Sequence, residues 1–214
     1  QYPLLNIEGN DTREFTDAID NLNSALDQVV KVTNGVYLAF YHQVFHASTV
    51  LKVHTTALDA FRGQKIEQTL ESSPDDPFII KTEHLQRASD LNIINWMMLP
   101  IAKSQLEHNL KQLIHEPPHF LIIQAYGTGN LAINNEIIQI FKQLKDQQCQ
   151  IILATQVPLG GMDQRYAISQ WIQEAEILTS DSASLADLYA KILKIYLQYP
   201  TSQQWHDHWF DSAE

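Results

Sequence analysis

Two stretches of the sequence gather side chains that could do chemistry. In residues 46–56, Lys52 lies among histidine and hydroxyl side chains, a combination that suits proton transfer or the binding of an anionic substrate. In residues 126–130, two glycines allow a ligand to approach the backbone, while Thr128 and Asn130 offer hydrogen-bonding groups. A lone lysine among polar residues is nonetheless usually a solvated surface charge, so residue types alone favour that interpretation of the first stretch.

The glycine spacing in residues 127–132 formally matches the fingerprint of dinucleotide-binding proteins. That fingerprint also needs an acidic residue at the end of the next strand, where it holds the ribose. Residues 153–156 contain no carboxylate. The sequence therefore disfavours nucleotide binding and leaves a tight strand-to-helix turn as the alternative to a ligand-binding loop.

Two further groups of side chains favour structural roles. His206-Asp207-His208 could present two imidazoles to a metal, but no third ligand of suitable spacing is near and tryptophans flank the segment. We predict a terminal segment that docks through these tryptophans. Cys149 follows a predicted helix without a clear histidine or acidic partner in sequence, which indicates a buried structural thiol rather than a nucleophile.

Alternating strands and helices beyond residue 92 would position the second stretch. The predicted strands are residues 93–99, 120–123 and 151–153, and the helices between them lie at 106–114 and 137–144, the latter capped by Asn134-Asn135. This alternation is typical of a parallel sheet. Ligands of such sheets bind beyond the carboxyl ends of the strands, which here are residues 99–100, 126–130 and 155–156.

The remaining elements are predicted from apolar spacing and turn residues. They are a helix over residues 19–30, a hairpin of strands 36–41 and 44–45 turning at His42-Gln43, and closing helices over 168–175 and 185–196, the last capped by Asp181-Ser182. Two prolines and several small polar or acidic residues make 71–77 the best linker candidate. We place the domain boundary between residues 72 and 92.

Composition excludes several classes of protein. Hydrophobic residues are 44% of the 214, enough for a sizeable core, which argues against global disorder. The sequence holds 14 Lys+Arg and 25 Asp+Glu, a net charge of −11 that disfavours unspecific binding to nucleic acid or to an anionic membrane. No apolar run approaches the roughly 20 residues of a membrane span. A single cysteine fits a reducing cytoplasm.

Five segments in a fixed order carry a resemblance. They are QYPL at residues 1–4, TDAIDNLNSAL at 16–26, KVHTTALDAF at 52–61, YGTGN at 126–130 and GGMD at 160–163. Together they resemble the L-asparaginase family of the bacterial, threonine-dependent type, with the cytoplasmic type I branch as the nearer match. The resemblance implies an α/β fold: the remainder of an N-terminal Rossmann-like domain (1–72), a linker (73–91) and a smaller C-terminal parallel-sheet domain (92–214).

The resemblance also implies a chemistry. Such enzymes hydrolyse asparagine to aspartate and ammonia without a cofactor or metal, through a threonine nucleophile and a second Thr-Asp-Lys set that handles protons. Lys52 matches the lysine of that set, and Asn130 matches a residue that reaches the neighbouring subunit's active site; Thr128 beside it is a weaker substrate-binding candidate. The family's Thr-Gly-Gly-Thr and His-Gly-Thr-Asp-Thr segments do not occur among the 214 residues. We therefore expect a fragment that is inactive alone.

The resulting hypothesis is a cytoplasmic, homo-oligomeric amidohydrolase acting on L-asparagine, with no nucleic-acid or membrane partner. The alternative is a non-catalytic relative that binds an amino acid or regulates a partner. A third possibility, an amidated tRNA as substrate, is disfavoured by the net charge of −11.

Overall fold

A computed structural model describes residues 16–65, 79–158, 162, 170–180, 182 and 184–211 of the protein. By its internal contacts the protein divides into two compact units. The first comprises residues 1–71 with 182–187, and the second comprises 72–181 with 188–214. No described helix is long and apolar enough to cross a membrane.

The first unit combines one helix with two small antiparallel sheets. Its elements are α1 (Ala18–Val29), β1 (Tyr37–Phe40), β2 (Gln43–His46), a 3₁₀ turn (Ala47–Thr49), β3 (Leu51–Lys52) and β4 (Phe61–Arg62). β1 pairs with β2, and β3 pairs with β4. The predicted helix and the predicted hairpin are both present.

The turn of the hairpin differs by one residue from the sequence prediction. Tyr41 and His42, not His42 and Gln43, form the turn, and both adopt positive φ angles of 48° and 58°. Positive φ at both central residues is what a two-residue hairpin turn requires, and glycine or asparagine usually supplies it. The side chain of Asn21 on α1 accepts a hydrogen bond from the Tyr41 amide at 2.8 Å, which helps to hold this unusual turn.

The apolar stripe that predicted α1 lies at the surface. Ile19, Leu22, Leu26 and Val29 are 43–63% exposed, and the helix contains no buried residue. Periodicity thus predicted the helix, while the face that the helix buries in the first unit is small.

The second unit is built around a four-stranded parallel sheet. Its elements are α2 (Thr82–Asp90), β5 (Ile93–Met97), α3 (Lys103–Leu113), β6 (Phe120–Ala125), α4 (Asn135–Asp146), β7 (Gln150–Thr155), α5 (Gln170–Glu174), β8 (Leu178–Thr179), α6 (Leu185–Gln198, beginning in the first unit) and α7 (Ser202–Asp207). The strand order is β5-β6-β7-β8, every pair parallel. The α/β fold class and the alternation are confirmed, and β8 and α7 are additions to the prediction.

Two apolar cores cover the two faces of this sheet. On β6, Leu121 and Ile123 pack into the core that contains α3 and α4, whereas Phe120 and Ile122 pack into the core that contains α6 and α7. Every residue of β6 is buried. A strand covered on both faces can be continuously apolar, which explains why its sequence shows no polar alternation.

Helix starts illustrate one correct and one wrong prediction. The side chain of Asn134 accepts a hydrogen bond from the Ile137 amide at 3.0 Å, which confirms the cap of α4. α6 begins only at Leu185, where Ser184 accepts from the Asp187 amide at 3.1 Å, so the predicted Asp181-Ser182 cap is wrong. Asn and Ser both satisfy free amides of the first turn, and the sequence offered several such residues close together.

Structure also extends into the predicted linker. α2 occupies Thr82–Asp90 within the interval 73–91, and Arg87 on it donates to the carbonyl oxygens of Tyr196 and Tyr199. Residues 66–78, which include the proline-rich stretch, lie outside the described residues, as do 163–169 at the start of the predicted helix 168–175. The domain division therefore remains a prediction.

The terminal tryptophans dock onto the sheet, as predicted. Trp205 and Trp209 are 4% and 0% exposed, and the Trp209 indole donates to the Thr179 carbonyl at 2.9 Å. One of the neighbouring histidines is used locally, since His208 stacks on Tyr199 at a ring distance of 4.1 Å. Among the described residues, no group of three His, Cys, Asp or Glu side chains is arranged to hold a metal.

One histidine makes the stability of the second unit sensitive to pH. The Nδ1 atom of His119 accepts a hydrogen bond from the Asn92 amide at 2.9 Å. Burial lowers the pKa of His119, the positive charge of Arg87 lowers it further, and Asp90 acts in the opposite direction. Because the folded pKa lies below the unfolded pKa of about 6.5, the unfolded state binds more protons as the pH falls through 6.5. Stability is then lost towards acid pH.

We expect His119→Gln to lessen the acid destabilisation of the second unit. Urea unfolding followed by tryptophan fluorescence at pH 7.5 and pH 5.5 measures the change. The exposed His115, in the same unit, provides the control His115→Gln, which should keep the pH dependence of the unmodified protein. A His119→Gln protein that loses as much stability as the unmodified protein between these pH values contradicts this account.

Candidate functional site

Lys52 is held in a short two-stranded ladder of the first unit. Lys52 on β3 pairs with Phe61 on β4, and its ammonium nitrogen lies 5.9 Å from the centre of the Phe61 ring. The rings of Phe61 and Phe40 form a T-shaped contact with their centres 4.8 Å apart. The lysine is exposed while its backbone and the ring beneath it are fixed by pairing and packing. The charged end of Lys52 is therefore accessible to solvent, and its role in catalysis remains a prediction.

The loop between β3 and β4 is ordered by side chains near Lys52. The Nδ1 atom of His54 accepts hydrogen bonds from the amides of Thr56 and Ala57, at 3.2 and 2.9 Å. The Asp59 carboxylate forms an ion pair with the Arg62 guanidinium at 2.7 Å, and it accepts a hydrogen bond from the side-chain amide of Gln43 at 3.4 Å. Since Nδ1 of His54 is an acceptor here, the proton of the neutral ring is on Nε2. His54 shapes the loop that follows the lysine.

Other members of the predicted cluster in residues 46–56 are also used structurally. Thr49 donates to the His46 carbonyl at 2.9 Å and accepts from the Gln64 amide at 2.8 Å. The His46 ring lies 5.2 Å from the Tyr37 ring across the β1–β2 pair. These side chains therefore have structural roles in the hairpin and the turn that precede Lys52.

In the second unit, residues 126–130 form a closed loop directly after β6, called here the glycine loop. The amide of Tyr126 donates to the Asn130 carbonyl at 2.9 Å, and the Asn130 amide donates back to the Tyr126 carbonyl at 2.8 Å. Gly127 and Gly129 have φ angles of 50° and 126°. Both lie in the left-handed region, where a side chain is strained, so the closed turn explains the two glycines.

Two polar side chains of the glycine loop are exposed. Thr128 and Asn130 are exposed, whereas Gly129 is buried. Asn130 uses both backbone groups within the loop, yet its side-chain amide hydrogen-bonds to no other described residue. A fixed backbone with an uncommitted amide is suited to recognising a small polar ligand.

The three predicted site residues belong to two different units of the chain. Thr128 and Asn130 share the glycine loop of the second unit, at the carboxyl end of β6 where the sequence predicted a ligand site. Lys52 belongs to the first unit. The substrate roles of these three side chains remain predictions.

The glycine loop does not have the geometry of a dinucleotide fingerprint. In that motif the glycines open a helix whose first turn holds the pyrophosphate. Here the loop closes on itself, and α4 begins only at Asn135. The interpretation of residues 127–132 as a tight turn is confirmed in part, because the turn is tight but the helix follows later.

Sequence reasoning missed two polar contacts near the carboxyl ends of the strands. The buried Gln124 on β6 donates to the Asn95 side chain on β5 at 2.8 Å. Thr155 at the end of β7 donates to the Gly127 carbonyl. The glutamine inside the apolar strand β6 could have indicated the contact with Asn95, because buried polar side chains need partners.

Cys149 is buried, as predicted. Its side chain lies in the core beside α4 at 0% exposure. Burial raises the pKa of this thiol to about 12. A thiol that stays protonated at neutral pH is a poor nucleophile.

Comparison with known proteins finds asparaginases. Residues 10–83 match the family described as asparaginase, N-terminal. An L-asparaginase of Thermococcus kodakarensis is 19% identical over 191 residues, which are 85% of this chain and 57% of that protein. The 214 residues thus span little more than half the length of this curated relative.

Solved structures give the same result for the fold. The thermostable L-asparaginase of Thermococcus kodakarensis superposes with a TM-score of 0.72 at 17% identity, covering 92% of this chain and 61% of that one. L-asparaginase I of Vibrio cholerae gives a TM-score of 0.69 at 18% identity, with the same coverage. The resemblance inferred from five motifs is confirmed: the protein has the fold of the L-asparaginases, and its residues 10–83 match the N-terminal part of that family.

Proposed function

We propose that this protein supplies part of the active site of an L-asparaginase-type amidohydrolase, which converts L-asparagine and water to L-aspartate and ammonia. The observation that carries the proposal is the exposure and local setting of two side chains that lie at positions matching the family's motifs. Lys52 is exposed on the paired strands β3 and β4. Asn130 lies in a closed loop, and its exposed side-chain amide hydrogen-bonds to no other described residue.

The division of labour follows from the chemistry of a hydroxyl nucleophile. A threonine hydroxyl attacks an amide only if a base removes its proton, because the free hydroxyl is a weak nucleophile. In this proposal Lys52 belongs to the proton-transfer set. The nucleophilic threonine comes from the Thr-Gly-Gly-Thr segment, which the 214 residues do not contain. Asn130 contacts the substrate in a neighbouring subunit. Thr128 assists at the same rim. The proposal thus includes a homo-oligomer, located in the cytoplasm in keeping with the single buried cysteine.

The alternative function is a non-catalytic, amino-acid-binding relative. It is favoured by departures from the family pattern within the 214 residues, such as Ala18 at a position where the resemblance implies a glycine. The two functions differ in the fate of bound L-asparagine, because only the enzyme breaks the carbon–nitrogen bond of the substrate's amide group.

Proton NMR of L-asparagine incubated with the protein expressed from its complete reading frame separates the two functions. The amidohydrolase converts the asparagine signals to those of aspartate. Broadening of the asparagine signals without conversion supports the binding protein instead. A polypeptide limited to residues 1–214 should release no ammonia, since it contains neither threonine segment; turnover by this polypeptide would mean that another nucleophile acts.

A further inference from the structure

The end of β7 and the glycine loop are joined by one hydroxyl group. The Thr155 side chain donates to the carbonyl of Gly127 and accepts from the amide of Val157 at 3.0 Å. The backbone continues the connection, because the Gln156 amide donates to the Ala125 carbonyl at 3.1 Å. The loop is thereby tied to the neighbouring strand as well as closed on itself.

The other hydrogen bonds of the glycine loop do not fix where the loop lies. Those between Tyr126 and Asn130, and the one from the Gly129 amide to the Tyr126 carbonyl at 3.0 Å, join residues of the loop to each other. They do not by themselves hold the loop against the sheet, and in a loop that tilts away they become exposed to water and open more often. The bond from Thr155 to Gly127 is different, because it connects the tip of the loop, where glycine has wide conformational freedom, to a paired strand.

We propose that Thr155 is a positioning residue for Asn130. By holding the Gly127 carbonyl, its hydroxyl sets the orientation of the glycine loop and therefore the direction in which the uncommitted amide of Asn130 points. The role of Asn130 in substrate recognition rests on the proposed function, but the hold of Thr155 on the loop does not. A site group must be kept within a fraction of an ångström of its productive position, and such supporting hydrogen bonds provide that precision.

The hydroxyl has the properties that this role demands. The two hydrogen bonds together fix the orientation of the Thr155 hydroxyl group. Because its oxygen accepts from the Val157 amide, its proton is directed elsewhere, towards the Gly127 carbonyl. Thr155 itself is half-buried at the end of a paired strand, and its β-branched side chain has restricted rotation. Valine has the same shape without the hydroxyl, and serine keeps the hydroxyl without the methyl group.

The test compares Thr155→Val, Thr155→Ser and the control Thr201→Val in the protein expressed from its complete reading frame. Thr201 also uses its hydroxyl, to cap α7 through the Gln204 amide, and α7 contacts the opposite, amino end of β7 through Gln150. Two readouts are needed: the hydrogen-exchange rates of the Gly129 and Asn130 amides, and KM and kcat for L-asparagine.

We expect Thr155→Val to speed exchange of both amides roughly three- to tenfold, which corresponds to the loss of one ordinary hydrogen bond. KM should rise by a similar factor, about three- to tenfold, with kcat within about twofold, because binding is weakened more than the chemical step. Thr155→Ser should restore both readouts, and Thr201→Val should change neither. A purely structural role would lower stability in both valine variants without the selective rise in KM.

Contrary outcomes are distinct. Unchanged amide exchange in Thr155→Val, or equal acceleration in Thr155→Ser, overturns the proposal. Faster exchange with an unchanged KM also overturns it, because the loop would then be loosened without consequence for the substrate. If the unmodified protein does not turn over L-asparagine, the proposed function fails, and the exchange rates of the valine and serine variants still decide whether Thr155 holds the loop.

Discussion

Replacing Lys52 with methionine should lower the rate of ammonia release from L-asparagine by about 10²–10⁴-fold, in the protein expressed from its complete reading frame. The expected size is that of a general acid–base group that acts in the transition state. Methionine keeps most of the length and apolar character of the lysine stem, so the packing over the Phe61 ring should persist while the amine is lost. The loss should appear in kcat more than in KM.

A second lysine of the first unit provides the matched control. Lys31 follows α1 and is exposed, and the Lys31→Met protein should retain full activity. Near-equal rates for Lys52→Met and the unmodified protein would remove Lys52 from the proton-transfer set. Far-ultraviolet circular dichroism of both variants verifies that the comparison concerns folded proteins.

Replacing Phe141 with alanine should destabilise the second unit by about 3–5 kcal/mol, the usual cost of removing a fully buried phenylalanine side chain. Phe141 lies on α4 at 0% exposure, in the core between that helix and the sheet. This loss is a large fraction of the roughly 5–15 kcal/mol by which a domain is stable. All four tryptophans, at positions 96, 171, 205 and 209, lie in the second unit, so their fluorescence during urea unfolding reports on that unit.

The control for this prediction is another phenylalanine in the same unit. Phe210 is 53% exposed, and Phe210→Ala should cost far less, about 1 kcal/mol or below. Similar midpoints of urea unfolding for Phe141→Ala and Phe210→Ala would show that the core assignment of α4 is incorrect.

The parallel sheet was predictable because its sequence signals are local and redundant. Residues 120–123 are apolar on both faces, and a strand with that pattern needs helices on either side, which the spacing of the following residues indicates. Asn134 added an independent helix-start signal that the structure confirms. The strand pattern, the helix pattern and the cap residue all predict the same α/β arrangement.

Other features depend on partners that are distant in sequence. β3 and β4 are two residues each and form only by pairing across an intervening loop, so neither had a strand pattern of its own. The hairpin turn was misplaced because Tyr41 and His42 adopt positive φ angles that their residue types rarely do, with help from Asn21 twenty residues earlier.

For the candidate site, the sequence could propose residues but not their arrangement. Residue types and motif order proposed Lys52, Thr128 and Asn130, whose roles stay predictions, but not the contacts around them. The bond from Thr155 to Gly127 joins the end of β7 to the glycine loop, 28 residues apart in sequence, and the pairing of β6 with β7 brings them together. Such supports follow from the sheet register, which the sequence pattern does not specify to the residue.

The most direct test of the central claim is the steady-state rate of ammonia release from L-asparagine by the protein expressed from its complete reading frame. If the 214 residues serve an asparaginase-type active site, the protein turns over L-asparagine without added metal or cofactor, and the rate collapses in Lys52→Met but not in Lys31→Met. Binding of L-asparagine with no ammonia release, or a rate that Lys52→Met leaves intact, would contradict the account.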